Sequence, residues 1–240
     1  MVQKKVIIIG ATSGIGYHLA CKYVEDSWKV GITGRRENLI GELISKYPGK
    51  ITGSAFDVTE SDNRSKVESL VRELGGLDLL IYNAGYGEPS RTVDWNIERK
   101  TTLTNVLAFV DIVSFAFDYF VKQGYGHIAL TSSVAGLRGN SWTPAYSASK
   151  AFMSNYAEGL SIKAERIKKK IFITDIRPGF VDTKMAKGNR QFWVVPVEKA
   201  ATQIINAISK NKRVAYISPR WLIIAALMKN MPYMWYRKIG

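Results

Sequence analysis

Tyr146 and Lys150 stand four residues apart in the run Pro144-Ala-Tyr-Ser-Ala-Ser-Lys150, and Ser133 lies thirteen residues before the tyrosine. On a helix, residues i and i+4 share one face about 6 Å apart, so the ammonium reaches the neighbourhood of the phenol. A nearby cation favours phenolate and lowers a pKa that is otherwise about 10. A tyrosine tuned in this way can pass a proton to or from a substrate oxygen. A Tyr-x-x-x-Lys pair alone reads more simply as a solvated helix face, and it is the rest of the chain that reverses this.

The elements that would position these groups are legible from the amino terminus onward. Val6-Ile7-Ile8-Ile9 is a β-branched run of the kind buried in a parallel sheet. Gly10-Ala-Thr-Ser-Gly14-Ile-Gly16 follows, and Tyr17 to Val24 then carries apolar residues at helical spacing. Strand, glycine-rich turn and helix in that order offer backbone N–H groups and a positive dipole end to a pyrophosphate. The spacing is G-x-x-x-G-x-G, not the G-x-G-x-x-G dinucleotide fingerprint, and a purely structural tight turn also accounts for it.

The pattern predicts strands at 5–9, 28–32, 51–55, 78–82, 126–131, 171–176 and 213–217, and helices at about 14–25, 36–46, 60–74, 95–123, 144–168 and 197–210. Alternating strands and helices predict the α/β class: one Rossmann-like, doubly wound parallel sheet of about seven strands, with helices on both faces. Residues 1–217 would form this domain, and 218–240 a basic, aromatic-rich extension. At 240 residues and 46% hydrophobic, the chain can bury a sizeable core as one domain. The single Cys21 cannot form an internal disulfide, and no Cys/His cluster has metal-ligand spacing, so no metal is expected. His18 and His127 are isolated and read as surface residues or as supports behind a site. The start reads as a strand and not as a signal peptide, which makes a reducing, cytoplasmic location the expectation.

Further motifs fall at strand ends: Asp57-Val58, Asn83-Ala84-Gly85, Asn105 and Arg177-Pro-Gly-Phe-Val-Asp-Thr183. Together with the glycine-rich turn, Ser133 and Tyr146/Lys150, they resemble the short-chain dehydrogenase/reductase family, in its NADP-preferring branch, over about residues 3 to 217. Two positions depart from the family pattern. Ile9 stands where a threonine often precedes the first glycine, and Tyr82 replaces the first asparagine of an Asn-Asn-Ala-Gly motif. Neither removes a group that does chemistry.

The resemblance implies an NADP(H)-dependent oxidoreductase transferring hydride between nicotinamide and a carbonyl or secondary alcohol. Tyr146 is then the general acid/base. Lys150 lowers its pKa and holds the nicotinamide ribose, and both residues also count as cofactor contacts. Ser133, chosen over Ser132 by the thirteen-residue interval, hydrogen-bonds the substrate oxygen. Asn105 resembles the asparagine that anchors a water in the proton relay, with a purely structural role left open. The implied cofactor cradle comprises Gly10, Thr12, Ser13, Gly14, Ile15 and Gly16, with Asp57-Val58 at the adenine edge. Asn83, Ala84 and Gly85 run along the adenosine ribose and diphosphate, and Pro178, Gly179, Val181 and Thr183 lie towards the nicotinamide carboxamide. After the second strand, Gly34 stands where NAD-selective relatives place an acid for the ribose 2′-hydroxyl. Arg35 and Arg36 follow, and a guanidinium grips a 2′-phosphate by paired, charge-assisted bonds. NADP(H) is therefore expected over NAD(H), the plainer alternative being solvated charge at a helix start.

Residues 184–195 occupy the place of the family's substrate lid, where Phe192 and Trp193 either cover an apolar substrate or pack the lid onto the core. From Lys199 to Gly240 there are eight Lys/Arg and no Asp or Glu. The apolar run Trp221–Met228 is too short to span a bilayer, which needs about 20 residues. Residues 219–240 fit an interfacial segment on an anionic membrane, helped by a net charge of +14 and a pI near 9.8. They fit equally a tail that packs on a neighbouring subunit or closes the substrate cleft. No nucleic-acid reader motif accompanies the charge, so no nucleic acid is expected. The Ser218-Pro-Arg…Pro232…Arg237-Lys238 layout resembles that of reductases acting on polyprenyl-phosphate-linked sugars, which implies a small-molecule or lipid-linked carbonyl or alcohol as substrate. The family commonly pairs its two long helices, so a homodimer or homotetramer is expected, and Leu107–Phe117 is compatible with that. The location would be cytoplasmic, at the inner face of the membrane if the tail is interfacial. The contrasting reading is an NADP-binding redox sensor or membrane-associated scaffold without turnover, against which the intact Asn105, Ser133, Tyr146 and Lys150 argue.

Overall fold

The computed structural model describes residues 3–183 and 192–238. Seven parallel strands form one sheet: β1 (Lys5–Ile9), β2 (Lys29–Gly34), β3 (Ile51–Ala55), β4 (Leu79–Tyr82), β5 (Tyr125–Thr131), β6 (Lys170–Pro178) and β7 (Val214–Ile217), in the order β3-β2-β1-β4-β5-β6-β7. The helices are α1 (Gly14–Glu25), α2 (Glu37–Lys46), α3 (Asn63–Leu74), α4 (Trp95–Thr102), α5 (Ala108–Gln123), α6 (Pro144–Arg166), α7 (Val197–Ser209), α8 (Trp221–Asn230) and α9 (Tyr233–Tyr236).

Strand β1 shows why the chain folds this way. Successive strand side chains point to opposite faces. Val6 and Ile8 enter the core shared with Leu19 of α1, Ile40 of α2 and Ile204 of α7. Ile7 and Ile9 enter the other, with Leu70 of α3, Phe109 of α5 and Met153 of α6. All four strand residues are fully buried. Each such side chain stabilises by about 1.5–3 kcal/mol, which fixes an unbroken β-branched run at the middle of a sheet covered on both faces. Ile9 pairs with Thr33 of β2 on one side and Tyr82 of β4 on the other. The strand order reverses between β1 and β4, and at such a switch point the carboxyl ends part to leave a crevice. Gly10 and Asn83 follow those two strands.

The structure departs from the sequence expectation where side chains intervene. Residues 95–123 are not one continuous α-helix. A π-helical turn, Leu103–Leu107, separates α4 from α5 and carries Asn105. The extra residue in that turn frees carbonyls from the normal ladder, and the hydroxyl of Tyr82 donates to the Thr104 carbonyl at 2.6 Å. The tyrosine that breaks the family pattern thus supports the turn. The helix expected from residue 60 begins at Asn63. The Asp57 carboxylate instead accepts from the Thr59 N–H and hydroxyl, both at 2.9 Å, and the Asn63 amide donates to the carbonyls of Val58 and Glu60. Strand β6 runs on to Pro178, two residues beyond the expected end.

His18 is half-buried and 3.6 Å from Glu198. His127, expected at the surface or behind a site, lies in the core between β5 and β6, its Nε2 2.8 Å from the Thr174 hydroxyl. Burial lowers its pKa from 6.5 to about 4. Above pH 6.5 the ring is neutral in both folded and unfolded chains and contributes no pH dependence. As pH falls from 6.5 to about 4, the unfolded chain takes up a proton that the folded chain does not, and stability falls by about 3 kcal/mol. A His127→Gln variant should therefore show a flatter melting temperature between pH 6.5 and 4. A slope as steep as that of the parent would contradict this assignment.

Candidate active site

Helix α6 opens with Pro144 at its first position, which suits a site whose N–H needs no intrahelical partner. One face of that helix carries Tyr146 and Lys150. The ring of Tyr146 packs on Gly87, where an added methyl would come within 2.3 Å of it. Lys150 is 3% exposed, donates to the Thr131 carbonyl at 2.7 Å, and holds its Nζ 5.6 Å from the centre of the Tyr146 ring. Burial pushes the ammonium down to about pKa 8, although the Asp175 charge opposes this. Ser133 ends the extended segment after β5. Its Oγ accepts from the Ala135 N–H at 3.1 Å and donates to the Pro178 carbonyl at 3.4 Å.

The expected lowering of the Tyr146 pKa by Lys150 is not what the geometry gives. Burial raises the phenol above its ordinary value, and a hydrogen bond with Ser133 pulls only part of the way back. The lysine neighbours the ring, but its hydrogen bond goes to the Thr131 carbonyl. Ser132 is separated from the pair altogether. Its hydroxyl is buried and donates to Asp175, whose other oxygen takes the Arg177 Nε at 2.7 Å.

Asn105 is completely buried. Its amide donates to the Tyr86 carbonyl at 2.8 Å and to the Ser149 hydroxyl at 2.9 Å, while its oxygen accepts from the Tyr86 N–H at 2.9 Å. The π-helical turn and the β4–α4 loop are thereby fixed together beside α6. A Cβ at Gly85 would lie 3.4 Å from the Lys150 Nζ and 3.6 Å from the Asn105 oxygen, so the β4–α4 loop threads between the two.

The glycine-rich turn has the backbone shape that a dinucleotide needs. Gly10 has φ +85°, and a Cβ there would come 2.9 Å from the backbone of Ala84. Gly14 has φ +55° and faces the Thr183 methyl across 3.3 Å from where its Cβ would be. Positive φ and these approaches admit only glycine at low strain. The Asn83 amide donates to the Gly10 carbonyl at 3.0 Å, closing the floor of the crevice. Helix α1 begins at Gly14 with no side-chain cap from Ser13, so its first N–H groups remain available to an anion. Ile15 packs on the core behind the turn. Arg36 donates to the hydroxyls of Thr12 and Ser13, each at 2.8 Å, which draws the exposed end of β2 onto the turn. Arg35 lies 3.6 Å from Asp57. Burial raises the Asp57 carboxyl pKa, but hydrogen bonds from Thr59 and the Arg35 charge outweigh that and hold it below the usual value. Val58 packs beside it against the second core.

Pro178 and Gly179 lie at the end of β6, and Val181 is buried in a single parallel bridge with Val195. Residues 184–191 of the expected lid lie outside the described residues. Phe192 stacks on Trp221 at 5.1 Å, and Phe180 and Trp193 complete an aromatic cluster around that indole. A Cβ on Gly179 would fall 1.9 Å from Trp221, so the indole lies directly on the glycine. Sequence reasoning missed Trp221, Gly87 and Ser149 as parts of the site. The small residues at 87 and 179 were the available signal, since each marks a place where a ring approaches backbone.

A family model for short chain dehydrogenases matches residues 4–192. An uncharacterised oxidoreductase of Mycobacterium tuberculosis is 30% identical over 243 residues, 97% of this chain and 95% of its own length. A 3-oxoacyl-[acyl-carrier-protein] reductase of Chlamydia muridarum is 30% identical over 195 residues, 78% of each chain. Among solved structures, a short chain dehydrogenase/reductase from Burkholderia phymatum in complex with NAD has a TM-score of 0.85 at 20% identity, covering 94% of this chain and 92% of its own. The structure of ElxO with NADP bound has a TM-score of 0.79 at 22% identity, covering 92% of this chain and 100% of its own. The two structures share this fold.

Proposed function

This chain belongs to the short-chain dehydrogenase family of oxidoreductases, and from that premise we propose that it is an NADP(H)-dependent reductase of a carbonyl group, running also as an alcohol dehydrogenase. The observation that carries the reading is the meeting of Tyr146 with Ser133, with the buried Lys150 beside the ring. When bound, the nicotinamide supplies or accepts the hydride at the carbonyl carbon. Tyr146 gives the substrate oxygen its proton, and Ser133 donates a hydrogen bond to the same oxygen as negative charge develops. Lys150 supplies positive charge beneath the phenol and holds ribose hydroxyls, while Asn105 holds the loop and α6 in register. A phenol raised by burial is protonated at neutral pH, which favours reduction there and alcohol oxidation at high pH.

Arg36 and Gly34 support the choice of NADP(H). A Cβ on Gly34 would lie 2.5 Å from the Thr12 methyl, so a carboxylate at 34 has no room, while Arg36 already bridges the two hydroxyls a phosphate would meet. Removing one charge-assisted bond of this kind costs about 1.5–3 kcal/mol. Arg36→Ala should weaken NADPH binding about 10- to 100-fold and change NADH binding by less than about threefold, as read by fluorescence titration. Equal losses for the two would count against a 2′-phosphate site.

The substrate class we favour is apolar or lipid-linked. Its support is the aromatic cluster of Phe180, Phe192, Trp193 and Trp221 above Gly179. Leu107 at the end of the π-helical turn and Phe152 and Ile162 on α6 are exposed and support pairing of α5 and α6 in a dimer or tetramer. The test is NADPH consumption across aldehydes and ketones of graded chain length. Consumption rising with chain length is the expected result. NADPH binding without consumption of any of them would favour a sensor or scaffold instead.

A further inference from the structure

We propose that the outward face of α8 and α9 is a docking surface for an anionic lipid bilayer. Helix α8 is apolar on two sides. Trp221 and Ala225 form the inner stripe and are buried against the domain. Leu222, Ile223 and Leu227 are 57%, 68% and 61% exposed on the other side. Tyr233, Met234 and Trp235 continue that face, each more than half exposed. A helix apolar all round is normally buried on all sides, and here half of it meets solvent.

Charge identifies the partner. Arg220, Lys229, Arg237 and Lys238 flank the apolar residues and are exposed, and the chain from Lys199 onward carries no acid. A second copy docking through the same face would set this positive rim against itself, because a two-fold contact pairs each patch with its twin. An anionic lipid surface offers the opposite charge and an apolar layer beneath it, and each cation near such a surface strengthens binding about fivefold. Aromatic rings and aliphatic side chains with basic neighbours are the composition of interfacial segments. The face is also held in place before it binds. The Arg138 guanidinium donates to the carbonyls of Met228 and Met231 at 3.1 and 2.8 Å, and the Tyr236 hydroxyl donates to the Gly139 carbonyl at 2.6 Å. Deleting the tail would expose Gly179 and the aromatic cluster, so surface substitutions make the cleaner test.

Flotation of the full chain with phosphatidylcholine vesicles, with and without phosphatidylglycerol, reads the partner directly. The wild type should float with the anionic vesicles at low salt, and added salt should weaken it. Ile223→Asp/Trp235→Asp and Arg237→Glu/Lys238→Glu should each bind those vesicles at least about tenfold more weakly, with NADPH binding unchanged. Three results would overturn the proposal: no flotation of the wild type, equal flotation with neutral vesicles, or self-association lost in the same variants without vesicle binding. The wild-type comparison needs no variant to fold, and vesicle binding is read without turnover.

Discussion

Tyr146→Phe should lower turnover by about a thousandfold or more and leave NADPH affinity within about twofold. A positioned general acid contributes about 10²–10⁴ to rate, and a donor to a developing oxyanion about 10²–10³. The phenol supplies both, so its loss sits at the upper end of either range. The substitution removes one oxygen and leaves the ring packed on Gly87. Stability should therefore change by less than about 1 kcal/mol, the worth of one ordinary hydrogen bond, here the one with Ser133. The proposed cofactor contacts at Arg36, Gly10 and Gly14 lie on other elements. Steady-state rates on a ketone and NADPH fluorescence titration separate the two effects. A variant keeping a tenth of the activity would remove Tyr146 from the proton-transfer role.

Local pattern made part of this site readable in the sequence. The run Val6–Ile9, the glycine-rich turn and the Tyr146/Lys150 spacing each declare their structure within a dozen residues, and the seven-stranded sheet follows from the alternation of such runs. What stayed hidden depends on contacts between distant segments. At the break in the helix over 95–123 the Tyr82 hydroxyl bonds the Thr104 carbonyl and Asn105 bonds the backbone of Tyr86, nineteen residues away, and periodicity carries no trace of either contact. The upward shift of the Tyr146 phenol comes from burial, which spacing does not report, and the i+4 lysine suggested the opposite sign. His127 read as a surface residue or a support behind a site because β5 gives no sign of which neighbour covers it. The tail offered an interfacial reading and a packing one, the latter on the substrate cleft or on a neighbouring subunit. In the structure Trp221 does the packing on one side of α8, while Leu222, Ile223 and Leu227 leave the other side to solvent.

Lys150→Met should reduce turnover by about a thousandfold and at the same time make the protein more stable at neutral pH. The ammonium is 3% exposed, and burial holds its pKa near 8 against 10.5 in its ordinary state. A folded pKa below the unfolded one means that the charged form is disfavoured by folding. The penalty is present in full below pH 8 and fades as pH rises from about 8 to 10.5. It amounts to about 3 kcal/mol. Methionine fills much the same volume without the charge, at the loss of the bond from a charged donor to the Thr131 carbonyl, worth about 1.5–3 kcal/mol. The net gain, up to about 1.5 kcal/mol, should raise the melting temperature by up to roughly 6 °C at pH 7 for a chain of this size. The gain should vanish near pH 10, where the wild-type amine is losing its own proton in the unfolded chain. Activity moves the other way because the amine supplies positive charge beside the phenol and, on the proposed reading, holds the nicotinamide ribose. Thermal melts across pH 7 to 10 alongside turnover would decide the matter. A variant that melts lower than the wild type at pH 7 would show that Lys150 serves the fold. One that melts higher and is inactive would show a buried charge kept for chemistry at the expense of stability.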